Sequence, residues 1–428
     1  MTIAGIIAEY NPFHNGHLYQ LNEVRRRLQA EYIIVAMSGD YVQRGAPALL
    51  PKHIRAEMAL RAGADLILEL PVRVSTSSAE GFALGGAELL SSLGIITHLC
   101  FGCEDGCEGA LQALGNWLAE EPPSFRHRLR ELLKQGNSFP SARMKAVLDT
   151  FPAGSVVQTD GENITEEQLI SLLSRPNNLL GLEYIKALRR LDSDIKPVAI
   201  KRKGAQHHAS ACEESGQAAS AGMLRETVFN CVSQENPCLS RQNHPDAMHF
   251  LKENMPSSSY EILCDQLAEG IWMNEKDLDL PLRLRLLSEN TESLLQIPDL
   301  PESLARRILR LKNECSGFLP FVGLLKTKEL TWSRIQRALL HVVIDLRGKD
   351  PEPDRFARVL GFRKESALLL SMTDRQTELP LITRGRQSGR YASGRETAYA
   401  SNLYETILTS RAASRKYRDE AQKQIVIV

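Results

Sequence analysis

Thr2-Ile3-Ala4-Gly5-Ile6-Ile7-Ala8-Glu9-Tyr10-Asn11-Pro12-Phe13-His14-Asn15-Gly16-His17 passes from an apolar run into a turn, after which Leu18, Leu21, Val24 and Leu28 recur at helical spacing. The reading is strand, loop, helix. In an open α/β sheet the carboxyl ends of the strands, near a topological switch point, are where ligands bind. Pro12 breaks regular pairing, Gly16 lets the backbone approach a ligand closely, and the helix start offers amide donors to a phosphate. His14 and His17 span the turn and can direct both imidazoles at one phosphate, as donors to developing charge rather than as nucleophiles. A capped loop with two solvent-facing histidines is the plainer alternative.

The alternation continues outward from this segment. Tyr32–Met37, Leu66–Leu70, His98–Phe101 and Ile195–Ile200 read as strands, with helices from about Pro51, over Ser77–Leu93 and through most of residues 109–190. Strands alternating with helices predict an α/β fold with a parallel sheet and right-handed crossovers. The expected organisation is a sheet domain over residues 1–205, a loop or linker at 206–222 rich in Ala, Ser, Gln and His, and a mainly helical domain over 223–428. Within the last part, Ala367–Met372 and Leu379–Thr383 are expected to add strands, and Gly385–Gly394 is basic and glycine-rich.

Composition narrows the class. Fifty-two basic residues balance 52 acidic ones, so a polyanion would have to meet a local basic patch. No run approaches the roughly 18 uninterrupted apolar residues of a membrane span, and the N-terminus lacks the basic lead of a signal peptide. A cytoplasmic protein outside membranes is the expectation. Eight scattered cysteines fit reduced thiols. Cys100, Cys103 and Cys107 with His98, and His207, His208 and Cys212, are weak zinc candidates without paired spacing, and no metal ligand is assigned.

The motif His14-x-Gly16-His17 after a first strand resembles the signature of the nucleotidyltransferase superfamily. The longer strings Ala8 to Tyr19 and Met37-Ser38-Gly39-Asp40-Tyr41-Val42-Gln43-Arg44-Gly45 resemble one family within it, the tRNA(Met) cytidine acetate ligases. Glu57 to Pro71, Phe101-Gly102-Cys103-Glu104, Arg175-Pro176-Asn177-Asn178 and Ile200-Lys201-Arg202 agree. Leu325 to Arg337 and Leu379 to Thr383 extend the likeness more thinly.

The resemblance implies a Rossmann-like nucleotidyltransferase domain followed by a mostly α-helical one. It also implies an activity: acetate is joined to AMP from ATP with release of pyrophosphate, and the acetyl group then passes to N4 of the wobble cytidine of elongator tRNA(Met). The ATP site it implies comprises Ile7, Ala8, Glu9, Tyr10, Asn11, Pro12, Phe13, His14, Asn15, Gly16, His17, Leu18, Tyr19 and Gln20, with Gly102, Asn177 and Arg202, and Asn178 and Lys201 as neighbours. His14 and His17 are the catalytic pair. Either Asn177 or Asn178 also reads as a helix cap after Pro176.

A carboxylate attacking the α-phosphorus needs positive charge to offset repulsion between anions. Arg44, Lys52 and Arg55 are candidates for phosphate or tRNA contact, each equally a surface charge. Unpaired anticodon bases stack on aromatic or guanidinium planes, which points to Lys326, Lys328, Trp332, Arg334, Arg337 and Arg384 to Tyr391. Magnesium is expected with ATP, its protein ligands open. The base that takes the cytidine proton is left among a histidine, Asp40 and water. Two other readings share the motif: a nucleotidylyltransferase acting on a phosphorylated metabolite, and a non-catalytic RNA-binding module that keeps a nucleotide pocket. The oligomeric state is not legible.

Overall fold

Ile3–Ala8 (β1) alternates its side chains between two cores: Ile3 and Ile7 pack into one, Ala4 and Ile6 into the other. Tyr32–Ser38 (β2) does the same, with Ile34 and Ala36 on the first side and Ile33, Val35 and Met37 on the second. A strand buried on both faces is continuously apolar, which is why these runs read so clearly. The structure is a computed structural model that describes residues 1–104, 108–152, 165–202, 219–233, 235–240, 242–348, 355–377, 379–411 and 415–428.

Tyr41–Val42 (β3) and Ala46–Pro47 (β4) form a small antiparallel pair, and Leu66–Leu70 (β5), His98–Cys103 (β6) and Lys196–Lys201 (β7) complete the parallel part of the main sheet. Three late segments, Ala357–Phe362 (β8), Leu381–Ile382 (β9) and Val426–Ile427 (β10), join the same sheet. Its order is β10-β8-β5-β2-β1-β6-β7, with β9 beside β8. Every pairing is parallel except β5 with β8. The order runs outward from β1 in both directions, so the switch point lies between β1 and β6.

Helices Ala79–Ser92, Glu108–Glu120 and Pro176–Arg190 cover one face. Asn15–Leu28 (α1), Lys52–Arg61 (α2) and the helices between residues 221 and 268 cover the other. A third core gathers the helices Asp279–Ser288, Glu302–Leu311, Phe318–Leu325, Trp332–Val343 and Ala392–Arg411. The expected α/β sheet domain with a mostly helical C-terminal part is the observed class.

One local expectation needs correction. Ala367–Met372 is not a strand but the start of a helix, Ala367–Gln376, with Leu369 and Thr373 buried four apart on its inner face. A six-residue apolar run carries no period that separates strand from helix. The neighbouring strand β8 went unread, because Arg358 and Gly361 interrupt its apolar character. Leu379–Thr383 does contribute β9.

Candidate active site

His14 is the N-cap of α1, in extended conformation. The Gly16 amide donates to His14 Nδ1 at 3.0 Å, and the His14 amide donates to His17 Nδ1 at 3.3 Å. This is a capping box made from two imidazoles in place of the usual Ser/Thr and Glu. Gly16 is required for it, since a Cβ there would lie 2.8 Å from His14 Cε1. The ring centroids lie 3.9 Å apart, and Tyr10 packs edge-on against both His17 and Phe13, with Phe13 tilted against His17.

Burial fixes the protonation of the pair. It lowers the His14 pKa to about 3, with Arg202 and Arg225 adding to the effect. Burial likewise holds His17 well below the ordinary imidazole value, helped by His14 and Arg202. Both rings are therefore neutral at pH 7. With each Nδ1 accepting a backbone N–H, the single proton sits on Nε2, so each ring presents a fixed Nε2–H donor.

Gly102, on β6 across the switch point, would bring a Cβ only into ordinary contact with the Arg202 stem, at 3.4 Å. No atom of the described residues demands glycine there. Arg202 follows β7, and its Nη1 donates to Asn177 Oδ1 at 3.0 Å. The Asn177 side-chain amide donates to Glu104, which also accepts the backbone amides of Asn177 and Asn178 and so caps the Pro176–Arg190 helix. Asn178 is fully buried and accepts the Glu104 amide. Asn177 thus orients Arg202, whereas Asn178 holds the Glu104 backbone in place; neither is the helix N-cap, which is Arg175.

These groups open on a cavity of about 1360 Å³. From the first segment Ile7 to Asn11, His14, Gly16, His17, Tyr19 and Gln20 line it, together with Gly102, Asn177, exposed Lys201 and Arg202. Pro12, Phe13, Asn15, Leu18 and Asn178 do not. Phe13 is buried behind Tyr10, and the Asn15 amide turns away to the Glu253 carbonyl at 2.9 Å.

Arg225 was not singled out in the sequence. It comes from the helix Ala221–Cys231, lines the same cavity and donates to the Asn11 carbonyl at 2.6 Å. Only its surroundings mark it, and those are assembled from residues more than 200 positions away. Arg44, Arg334 and Arg337 also line the cavity, and Asp299 accepts from Arg337 at 3.2 Å. Gly45, at φ 80°, lets the Arg44 loop lie against the Arg337 backbone. Lys326, Lys328 and Trp332 are exposed nearby in sequence without lining the cavity. Arg384, Arg386 and Arg390 are exposed elsewhere, and Tyr391 stacks on Phe356 at 4.7 Å.

Lys52 and Arg55 are not surface cations, and neither lines the cavity. Lys52 is 0% exposed, with Nζ 2.6 Å from Glu69, 2.8 Å from Glu420 and 2.8 Å from Ser401 Oγ. Arg55 donates to the carbonyls of Glu9, Ser38, Gly39 and Leu50, bracing the strand ends from behind. Asp40 is likewise buried and accepts the Lys52 amide at 2.8 Å, which removes it as a base for a substrate in the cavity. Cys100 packs into the core, where burial pushes its thiol up to about 12, and His98 Nδ1 meets Thr97 Oγ1. Cys107, His207, His208 and Cys212 lie outside the described residues. Among the described residues no helix is long and apolar enough to cross a membrane.

Residues 1–420 match the HIGH Nucleotidyl Transferase family. The tRNA(Met) cytidine acetate ligase of Halothermothrix orenii is 37% identical over 392 residues, 90% of this chain and 87% of that protein. The protein of the same name from Alkaliphilus metalliredigens is 33% identical over 98% of this chain and 97% of its own length. Among solved structures, Thermotoga maritima TmcAL bound with alpha-thio ATP superposes with a TM-score of 0.84 at 28% identity, covering 100% of both chains.

Proposed function

The chain belongs to the HIGH nucleotidyl transferase family and to its tRNA(Met) cytidine acetate ligases, and from that membership we propose how its residues share the work. It is an ATP-dependent ligase that activates acetate as acetyl-adenylate, releases pyrophosphate, and transfers the acetyl group to N4 of the wobble cytidine of elongator tRNA(Met). Neither a nucleotidylyltransferase of a phosphorylated metabolite nor a non-catalytic RNA-binding module accounts for relatives of this name matching along the whole chain.

The observation that carries the assignment of roles is the pair of fixed Nε2–H donors at the start of α1. They meet the triphosphate beside the helix amides, and charge developing on the departing pyrophosphate strengthens both bonds. Arg202, aimed by Asn177, and Arg225 offset the repulsion felt by an incoming acetate. Among the described residues no group of three His, Cys, Asp or Glu side chains gathers to hold a metal. Magnesium brought in with ATP would be held mainly by the nucleotide and water and would supply charge neutralisation there. Residues 1–205 supply most of the nucleotide site, and the helix Ala221–Cys231 adds Arg225. Residues 223–428 present the anticodon arm, with Arg334 and Arg337 lining the shared cavity and Lys326, Lys328 and Trp332 beside it.

The test is to incubate the protein with ATP, acetate and total tRNA and look for N4-acetylcytidine by mass spectrometry, identifying the tRNA that carries it. Acetate-dependent pyrophosphate exchange should fall about 10²- to 10³-fold in His17→Asn. Acetylation that is absent, or that proceeds without ATP, overturns the reading.

A further inference from the structure

Acetyl transfer needs a proton acceptor, and the geometry removes the histidines from that role. His14 and His17 spend Nδ1 on backbone N–H groups and hold their proton at Nε2. Either could accept a proton only as a buried imidazolium beside Arg202, which the site opposes. Asp40 is walled off with Lys52.

Six described carboxylates line the cavity: Glu9, Glu80, Glu121, Glu183, Asp299 and Glu329. Glu80 is held by Lys186 and Arg190, and Glu121 by Arg190, all at 2.8 Å. Glu183 pairs with Arg143 at 2.5 Å and Asp299 with Arg337 at 3.2 Å. Glu329 is exposed to solvent. Glu9 differs from all of these. It follows β1 directly, next to the histidine turn, and Tyr10 at φ 47° turns the chain immediately after it. Its Oε1 accepts the Gln43 amide at 2.9 Å, whereas Oε2 makes no hydrogen bond or ion pair with any described residue. One oxygen is anchored and the other is free, the arrangement of an oriented base.

We propose that Glu9 is the general base of the acetyl-transfer step, a reading that rests on the ligase assignment above. The cytidine N4 lone pair attacks the carbonyl carbon of acetyl-adenylate, and the C–N bond forms. The bond from that carbon to the phosphate oxygen breaks, and AMP leaves with the electron pair. The N4 proton passes to Glu9 Oε2 and from there to solvent. The balance is cytidine amine plus acetyl-adenylate to N4-acetylcytidine, AMP and one proton. Gln43, which anchors Oε1 through its backbone, is a positioning residue.

The experiment compares wild type with Glu9→Gln, which keeps shape and the Gln43 contact, and with Glu9→Asp. Acetyl-adenylate formation is measured in each by trapping with hydroxylamine, a nucleophile strong enough to need no base. Transfer is measured as single-turnover N4-acetylcytidine formation on tRNA(Met), and tRNA affinity by filter binding. The ratio of transfer to trapped acetohydroxamate should fall about 10²- to 10⁴-fold in Glu9→Gln, with tRNA affinity unchanged and partial recovery in Glu9→Asp. An unchanged ratio in Glu9→Gln overturns the proposal, as does parallel loss of hydroxamate and acetylcytidine. Absence of acetate-dependent hydroxamate in the wild type would instead sink the ligase assignment beneath it.

Discussion

Lys52→Met separates a phosphate ligand from a structural cation. Lys52 Nζ lies within 4 Å of Glu69, Glu420 and Asp40, all buried. Burial alone would push its pKa down, but Glu420 and Glu69 outweigh that and hold it above the ordinary lysine value. Removing the ammonium leaves three buried carboxylates facing Arg358, which reaches Glu420 at 2.5 Å and Glu69 at 3.4 Å, and Lys423, 3.8 Å from Glu420. Breaking one side of such a cluster costs about 3–5 kcal/mol. At about 2 cal/mol/K per residue over 428 residues, that lowers Tm by about 3–6 °C. The assay is a thermal melt beside the ATP KM from pyrophosphate exchange, taken well below the transition. The expectation is a lower Tm with KM within twofold of wild type. The double variant Lys52→Met/Glu420→Gln should be less destabilised than the sum of its parts, because the second change removes a stranded charge. A wild-type Tm with a tenfold higher KM would show that Lys52 reaches phosphate and that the burial argument is wrong.

Asn177→Ala removes the acceptor that aims Arg202. A hydrogen bond to a charged group is worth about 1.5–3 kcal/mol, so kcat/KM for pyrophosphate exchange should drop about 10- to 100-fold, and an unaltered value would refute the relay. Acid should destabilise the fold well above the carboxylate range. His14 and His53 are lowered to about 3 and His341 to about 4, in each case chiefly by burial. They stay neutral in the fold but take up protons near pH 6.5 when unfolded. Their stabilisation is present above about pH 6.5 and is lost as pH falls toward the folded values, by about 2 kcal/mol each at pH 5. Urea midpoints across pH 7 to 5 check this, His341→Gln should flatten the slope by about one proton, and a flat profile in the wild type would refute it.

What the sequence disclosed follows the range of the interactions involved. The histidine turn is local: cap, glycine and both rings lie within four residues, so strand, loop and helix signals read together. Lys52 and Arg55 read as surface charges because a cation near a helix start looks the same whether it faces water or buried acceptors; for Lys52 a deciding partner, Glu420, comes from the far end of the chain, and for Arg55 the partners are backbone carbonyls, which no side-chain pattern marks. Arg225 escaped notice for the same reason, since its contact with Asn11 spans 214 residues. The free oxygen of Glu9 is a property of the assembled cavity, where Glu80, Glu121, Glu183 and Asp299 are each paired with a cation.

The sheet edge formed by β8 and β10 has a consequence for biogenesis. Lys52 sits on a helix made early, yet its hydroxyl partner Ser401 follows 349 residues later. While the ribosome is still translating the middle of the message, the nascent N-terminal half holds Lys52 with Glu69 and Asp40 but without Glu420 and the Ser401 hydroxyl that complete its burial. Its outer strand β5 also lacks its neighbour. The β5 side of the sheet is thus completed only when β8 and β10 are made, and a stalled or prematurely terminated chain would carry the nucleotide-binding signature on an unfinished sheet.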